Sequence, residues 1–470
     1  MIAIRYGTST LLFLTLAFLL PLLFCAGELP EANLPFAMNA AIVAYAAAML
    51  SFPAAANKER ILELTFWLFA YVFLGIVPLV QLTAASFPWP DAYGDRTVAT
   101  AQLVALAGMA AYHAGILLGK PPGSAPKEAT ERTFGIGPRG FLAASAIAVL
   151  VALSLLLASG GIQSLFVPRN AIESAYESKS LNLIADQLVK VPMFVCLLVG
   201  LALWKQGVLK TLLPKAAVAA LLLLSLIVSN PVSTARYWFG SVLLTLCLTF
   251  VPWKKVGYVG WTMGYLLLFI VLFPYTDLFR NTLDGDIQTS GIAEIFVRKG
   301  DYDAFQMLLN AIEYVEANGI EHGRQLLGAV LFWVPRSLWV DKPLSSGQLL
   351  GEASGYAYTN LSSPFWAEGY LNGGLAGVIV LFAAYGFLSR RMQEKYARSQ
   401  DRTALSLNRI LVPFLSAYQI FLLRGDLMNA FAYLSAFLLC AWLLTRIGRK
   451  KPIARPAARF GEPVGRPARR

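Results

Sequence analysis

Stretches of about twenty apolar residues recur along nearly all of this 470-residue chain, and no other feature restricts its fold as severely. A helix of about 20 apolar residues crosses a bilayer, and inside the bilayer a segment must satisfy its own backbone hydrogen bonds. Twelve such segments are expected, at 8–25, 36–56, 62–85, 97–119, 140–158, 186–204, 214–229, 236–252, 256–274, 365–388, 408–423 and 427–445. The seventh and eleventh are short, so ten to fourteen crossings fit the sequence. Only 14% of residues are charged, whereas soluble domains carry roughly 25%. The expected fold class is therefore an all-α polytopic integral membrane protein. Nine helices fall in 1–274, a large loop with short interfacial helices in 275–364, three more helices in 365–445, and a basic tail in 446–470.

Lysine and arginine orient these segments. With the N-terminus in the cytoplasm, the loops and tail on that side hold 27 of the 39 basic residues, as the retention of cationic loops requires. Both termini are then cytoplasmic. In a bacterial inner membrane the 159–185 loop, the 230–235 turn, the 275–364 segment and the Arg424-Gly425-Asp426 turn face the periplasm. Soluble nucleotides are absent there, and the sequence has no Walker-type or GxGxxG loop. The net charge of +12 resides in these loops and the tail, with no nucleic-acid-binding module beside it.

The first apolar run has only Arg5 before it and GELPE after it, and Phe24 precedes Cys25, so it reads as a retained helix, not a cleaved signal. Cys25, Cys196, Cys247 and Cys440 lie in or beside apolar runs without C-x-x-C spacing, the pattern of buried small hydrophobes. The two histidines alone cannot make a zinc site. His113, near the inner end of the fourth segment, reads as structural. No half of the chain repeats the other, which counts against an inverted-repeat transporter. The tail composition is that of a disordered segment.

The least membrane-like stretch runs from His322 to Gly377 and sets Arg336, Lys342, Glu352 and Glu368 among Trp, Tyr, Gly and Pro. Upstream, Asp301 to Asn318 has one apolar face and one polar face, with Asp301 as N-cap and Gly319 just past the end. Leu326 to Val334 is too short to span and suits an interfacial or re-entrant piece. Arg169, Arg236, Arg280, Arg336 and Arg424 lie on or near the outer face. Each alone can snorkel or pair with a carboxylate, since an arginine at a helix centre costs about 2.5–3.5 kcal/mol. Converging, their planar forks would cradle a pyrophosphate, and Lys342 would add a point charge.

Glu368 is a candidate general base or an ion-pair partner of one of the arginines. Asp426 would orient Arg424. His322 is either a second candidate base or an exposed loop histidine. Trp339 and Trp366, with Trp333, Tyr356, Tyr358 and Phe365, would stack on sugar rings or anchor the interface. Asp284/Asp286 and Asp301/Asp303 have Asp-x-Asp spacing, which alone is a weak sign of a metal; no metal or other cofactor is expected.

VPRSLWVDKP (334–343) with the SSG after it, and SPFWAEGYLNGGLAG (363–377), resemble bacterial oligosaccharide repeat-unit polymerases, the O-antigen polymerase (Wzy-like) family. LLRGDLMNA (422–430) is similar to that family's late Arg-Gly-Asp turn, and GDYDAF (300–305) also fits. The resemblance covers about the last 200 residues. It implies many transmembrane helices, a large late periplasmic loop, and periplasmic arginines that engage the diphosphate of an undecaprenyl-linked glycan. It also implies transfer of the growing glycan from its lipid carrier onto a newly delivered repeat unit. Membrane lipids are further expected partners and a chain-length regulator a candidate one, whose binding the sequence leaves open. The expected function is thus repeat-unit polymerisation into O-antigen, capsule or exopolysaccharide. An O-antigen ligase and a transporter of polysaccharide or lipid-linked sugar are the alternatives.

Overall fold

The computed structural model describes residues 2–25, 33–120, 133–167, 179–274, 291–400 and 405–447. Arg169, Arg280, the Asp284/Asp286 pair and residues 448–470 of the tail lie outside them. Among the described residues the regular structure is helical, and the one β-type contact is an isolated bridge between Thr133 and Ser406. The helices are α1 (Tyr6–Phe24), α2 (Leu34–Ala55), α3 (Ile61–Thr83), α4 (Asp95–Leu118), α5 (Pro138–Ala158), α6 (Ser180–Lys205), α7 (Leu212–Val228), α8 (Arg236–Phe250) and α9 (Trp253–Leu272). Then follow α10 (Ile292–Arg298), α11 (Ala304–Asn318), α12 (Arg324–Val330), α13 (Ser346–Ala353), α14 (Phe365–Gln400), α15 (Asn408–Arg424) and α16 (Leu427–Arg446).

Nine of these, α1–α6, α9, α14 and α16, are long and apolar enough to cross a membrane. The other three expected crossings are the shorter helices α7, α8 and α15, of 17, 15 and 17 residues. At 1.5 Å per residue they reach about 22–26 Å, short of a hydrocarbon core of about 30 Å. Every expected segment is therefore a helix, and three are too short for composition alone to make them crossings.

Two apolar cores share α15 and α16. One gathers α1–α4, α9 and α11 around α3, whose residues 61–81 are all buried. The other gathers α5–α8. Glycine lets α4 and α14 meet backbone to backbone. A Cβ on Gly115 would lie 2.1 Å from the Ala383 carbonyl, and one on Gly386 would lie 2.1 Å from that of Tyr112. This is the small-residue contact by which membrane helices approach closely. Residue pairs 112/386 and 119/390 put the two helices parallel, as the alternation read from the charges requires. Lower on this seam the buried Arg390 guanidinium lies 3.1 Å from Glu63 and 2.7 Å from Glu394, so its charge is paired.

The sequence suggests one unbroken helix over 365–388, and the structure corrects this. Gly373 (φ −158°, ψ 19°) and Gly374 (φ 59°, ψ −151°) interrupt α14. The arm before them folds back antiparallel on the arm after them. The Phe365 ring is 5.2 Å from that of Phe382, Trp366 is 4.2 Å from the same ring, and a Cβ on Gly369 would lie 3.0 Å from Val378 Cα. The left-handed φ at Gly374 is the conformation glycine alone adopts freely. The short arm carries Glu368 into the protein interior, and its far end docks on the 320s: Glu321 N–H donates to Leu371 O (2.7 Å) and Gly323 N–H to Asn372 O (3.2 Å).

Candidate functional site

Two of the arginines do meet, at the Gly300–Tyr302 turn. Arg236 opens α8 and Arg424 ends α15, which points both at the same level. Arg236 Nη2 lies 3.0 Å from Asp301 Oδ2. Arg424 Nε donates to Asp301 O (2.8 Å), and its Nη2 donates to Gly300 O and to Asp303 Oδ1 (3.0 Å). Asp303 is buried and also accepts from Ser362 Oγ (2.6 Å) and Trp89 Nε1 (3.0 Å). Tyr302 pins the turn, its hydroxyl donating to Phe269 O at 2.8 Å. These guanidinium groups form a clamp that holds the chain entering α11 against α8 and α15. Both carboxylates of the 301/303 pair belong to that clamp. Among the described residues no group of three or more His, Cys, Asp or Glu is placed to hold a metal ion.

The next link is carboxylate to helix N-terminus. Asp426 caps α16, accepting from Met428 N–H (3.0 Å) and Asn429 N–H (3.3 Å), and its other oxygen accepts from Gly347 N–H at 2.9 Å. Burial pushes its carboxyl up from the usual aspartate range, while these backbone donors act the other way. Glu368 Oε2 accepts from Ser346 Oγ (2.8 Å) and Oε1 from Leu427 N–H (3.2 Å). Glu368 is 1% exposed. Both carboxylates thus tie the start of α13 to the start of α16, where the helix dipoles favour negative charge. In this arrangement Glu368 is a structural tie, with no free oxygen turned to an outside ligand.

A hollow of about 330 Å³ lies beside this tie, lined by Tyr314, Glu321, Arg324, Arg336, Asp341 and Lys342 among others. Its cations are held in an unusual way. Arg324 Nη2 donates to Asp341 O (2.9 Å), Arg336 donates to Lys342 O (2.6 Å) and Pro343 O (3.1 Å), and Lys342 Nζ donates to Phe332 O (2.7 Å), Val334 O (2.8 Å) and Ser180 Oγ (3.3 Å). Among the described residues none of the three forms an ion pair. Backbone carbonyls fix their positions without cancelling their charge. Burial, and then the nearby Arg336, push the Lys342 ammonium below the usual lysine range. Tyr314, which donates to Glu321 Oε1 at 2.7 Å, has its hydroxyl pushed up to about 12, first by burial and then by that hydrogen bond.

The expected cradle of five arginines is therefore split. Arg236 and Arg424 belong to the clamp, Arg336 and Lys342 to the hollow. Trp366 is not available to a sugar: it is fully buried in the α3/α4/α14 core, where its Nε1 donates to Ala105 O at 3.2 Å. Trp339 is half-buried, and its carbonyl accepts from Lys342 N–H at 3.1 Å. His322 is exposed at φ 47°, in the turn before α12. Sequence reasoning missed Arg324, Glu321 and Asp341 as members of one site. The HGRQ string contains Arg324, yet nothing local shows that 324 and 336 fold against one hollow.

No family model matches the chain, and no curated protein or solved structure was found to be similar to it.

Proposed function

We propose that the chain is a bacterial inner-membrane glycosyltransferase that polymerises undecaprenyl-diphosphate-linked oligosaccharide repeat units on the periplasmic side. In this reading all twelve helical segments cross the bilayer, both termini are cytoplasmic, and the hollow opens to the periplasm. The motif resemblance suggests the reaction. The observation that carries it to a site is the set of three cations, Arg324, Arg336 and Lys342, held by carbonyls and without an ion pair among the described residues. Cations whose positions are fixed in advance by carbonyls suit an anion that gains charge during reaction.

An acceptor sugar hydroxyl attacks the anomeric carbon, the bond from that carbon to the diphosphate oxygen breaks, and the diphosphate leaves with one more negative charge. Cations placed at the leaving oxygen stabilise the transition state more than the ground state. Arg336 supplies a planar fork and Lys342 a compact charge. The hydroxyl proton needs an acceptor. Glu321 and Asp341 line the hollow, which makes them better placed than the enclosed Glu368.

Purified protein given a defined undecaprenyl-diphosphate repeat unit is expected to produce a ladder spaced by one unit. A single unextended band from active, folded protein would sink the proposal. A pH signature follows from Lys342. Its cationic form is present below its folded pKa, which lies under the usual lysine range. Activity should therefore decline on the alkaline side earlier than an ordinary lysine would cause, and Lys342→Arg should move that decline to higher pH. Coincident alkaline limbs for the two proteins would exclude Lys342 from the site.

A further inference from the structure

The segment between α11 and α13 has an apolar surface that the proposed chemistry does not use. α12 buries Gln325, Gly328 and Ala329 on one side. On the other, Leu327, Val330 and, one step further, Trp333 are each about half exposed. They continue a stripe of every third residue that begins at Arg324. A short helix that is apolar on both faces needs a partner or a non-aqueous surrounding. Past Pro335 the exposure grows: Leu338 is 81% and Val340 79% exposed, beside the half-buried Trp339. An apolar shelf of this kind in water is unfavourable and marks a binding surface.

Two observations identify its occupant as lipid. The shelf adjoins the start of α6, a helix long and apolar enough to cross a membrane. Ser180 Oγ donates to Phe332 O (2.9 Å) and accepts from Lys342 Nζ (3.3 Å), and the next residue, Leu181, is exposed. The shelf also carries its own cations, since Arg324, Arg336 and Lys342 sit at its edge and line the hollow. Apolar side chains beside basic groups are the pattern of a segment lying at the bilayer surface, with its charges at headgroup depth.

We propose that residues 324–342 lie in the interface of the leaflet on the hollow's side and form a docking surface for a lipid whose phosphate or diphosphate headgroup carries net negative charge, unlike the zwitterionic phosphocholine. The lipid's tail lies over Leu327, Val330, Leu338 and Val340, and its phosphate enters the hollow sideways from the bilayer. Only the choice of a polyprenyl diphosphate as that lipid rests on the function proposed above.

The test needs no turnover. In full-length protein with the four native cysteines replaced, a spin label is placed singly at Leu327→Cys, Leu338→Cys or Val340→Cys, and the protein is put into phosphatidylcholine nanodiscs. Leu188→Cys on α6 serves as the lipid reference, and Glu316→Cys at the exposed end of α11 as the water reference. Labels at 327, 338 and 340 should match the α6 reference in favouring oxygen over a water-soluble nickel relaxant. Doping the discs with undecaprenyl diphosphate should slow the label at 340, Arg336→Gln should abolish that slowing, and soluble pyrophosphate should not reproduce it. Nickel accessibility like that of the water reference would overturn the proposal, as would immersed labels indifferent to the doped lipid. A water-exposed shelf on a protein that still polymerises refutes this inference alone. An immersed, lipid-responsive shelf on a protein that makes no ladder refutes the polymerase reading alone.

Discussion

Arg336→Glu protein is expected to insert, and to extend lipid-linked repeat units at least about 100-fold more slowly than wild type, the scale of removing one preorganised donor from a charged transition state. The substitution takes away the fork held by the Lys342 and Pro343 carbonyls. It also sets a carboxylate beside Lys342 and Arg324, where the departing diphosphate would need positive charge. Arg336→Lys keeps the charge and loses the fork, so its rate should fall between the two. Initial rates of ladder formation measure this, with a thermal melt to show that each variant is folded. Wild-type rates in a folded Arg336→Glu protein would remove the hollow from the chemistry.

The largest effect on stability should come from Asp303→Ala. Asp303 is buried and receives Arg424, Ser362 and Trp89 together. Its removal leaves a mostly buried guanidinium without its carboxylate, a loss of about 3–5 kcal/mol where one partner of a buried pair is deleted. The turn that starts α11 then loses its hold on α8 and α15, and the melting temperature in detergent should drop sharply. Asp303→Asn keeps an acceptor for Ser362 or Trp89 without the charge and should lie between. An Asp303→Ala protein that melts with wild type would mean that Arg424 finds other partners at no cost.

The positions of the helices were legible because a twenty-residue apolar run has few ways to exist apart from a membrane helix. The break in α14 was not, since Gly373-Gly374 lies inside an apolar stretch and only contacts such as Phe365 with Phe382 show that the chain doubles back. That Arg336 and Lys342 share one hollow was legible, since they stand close together in an aromatic, Pro-containing string. The partners of Arg424, which lie 121 to 124 residues upstream, and those of Glu368, at the starts of α13 and α16, were not legible. Apolar periodicity reports which residues leave water. It does not report which carboxylate an arginine will meet.

The account depends on the hollow binding the diphosphate of a lipid carrier. The most direct measurement is the affinity of the nanodisc-embedded protein for undecaprenyl diphosphate against undecaprenol, repeated with Arg324, Arg336 and Lys342 all changed to glutamine. Tight binding that requires the diphosphate and disappears in the triple variant is the predicted result. Equal affinity for the two lipids, or unchanged affinity in the triple variant, would contradict it.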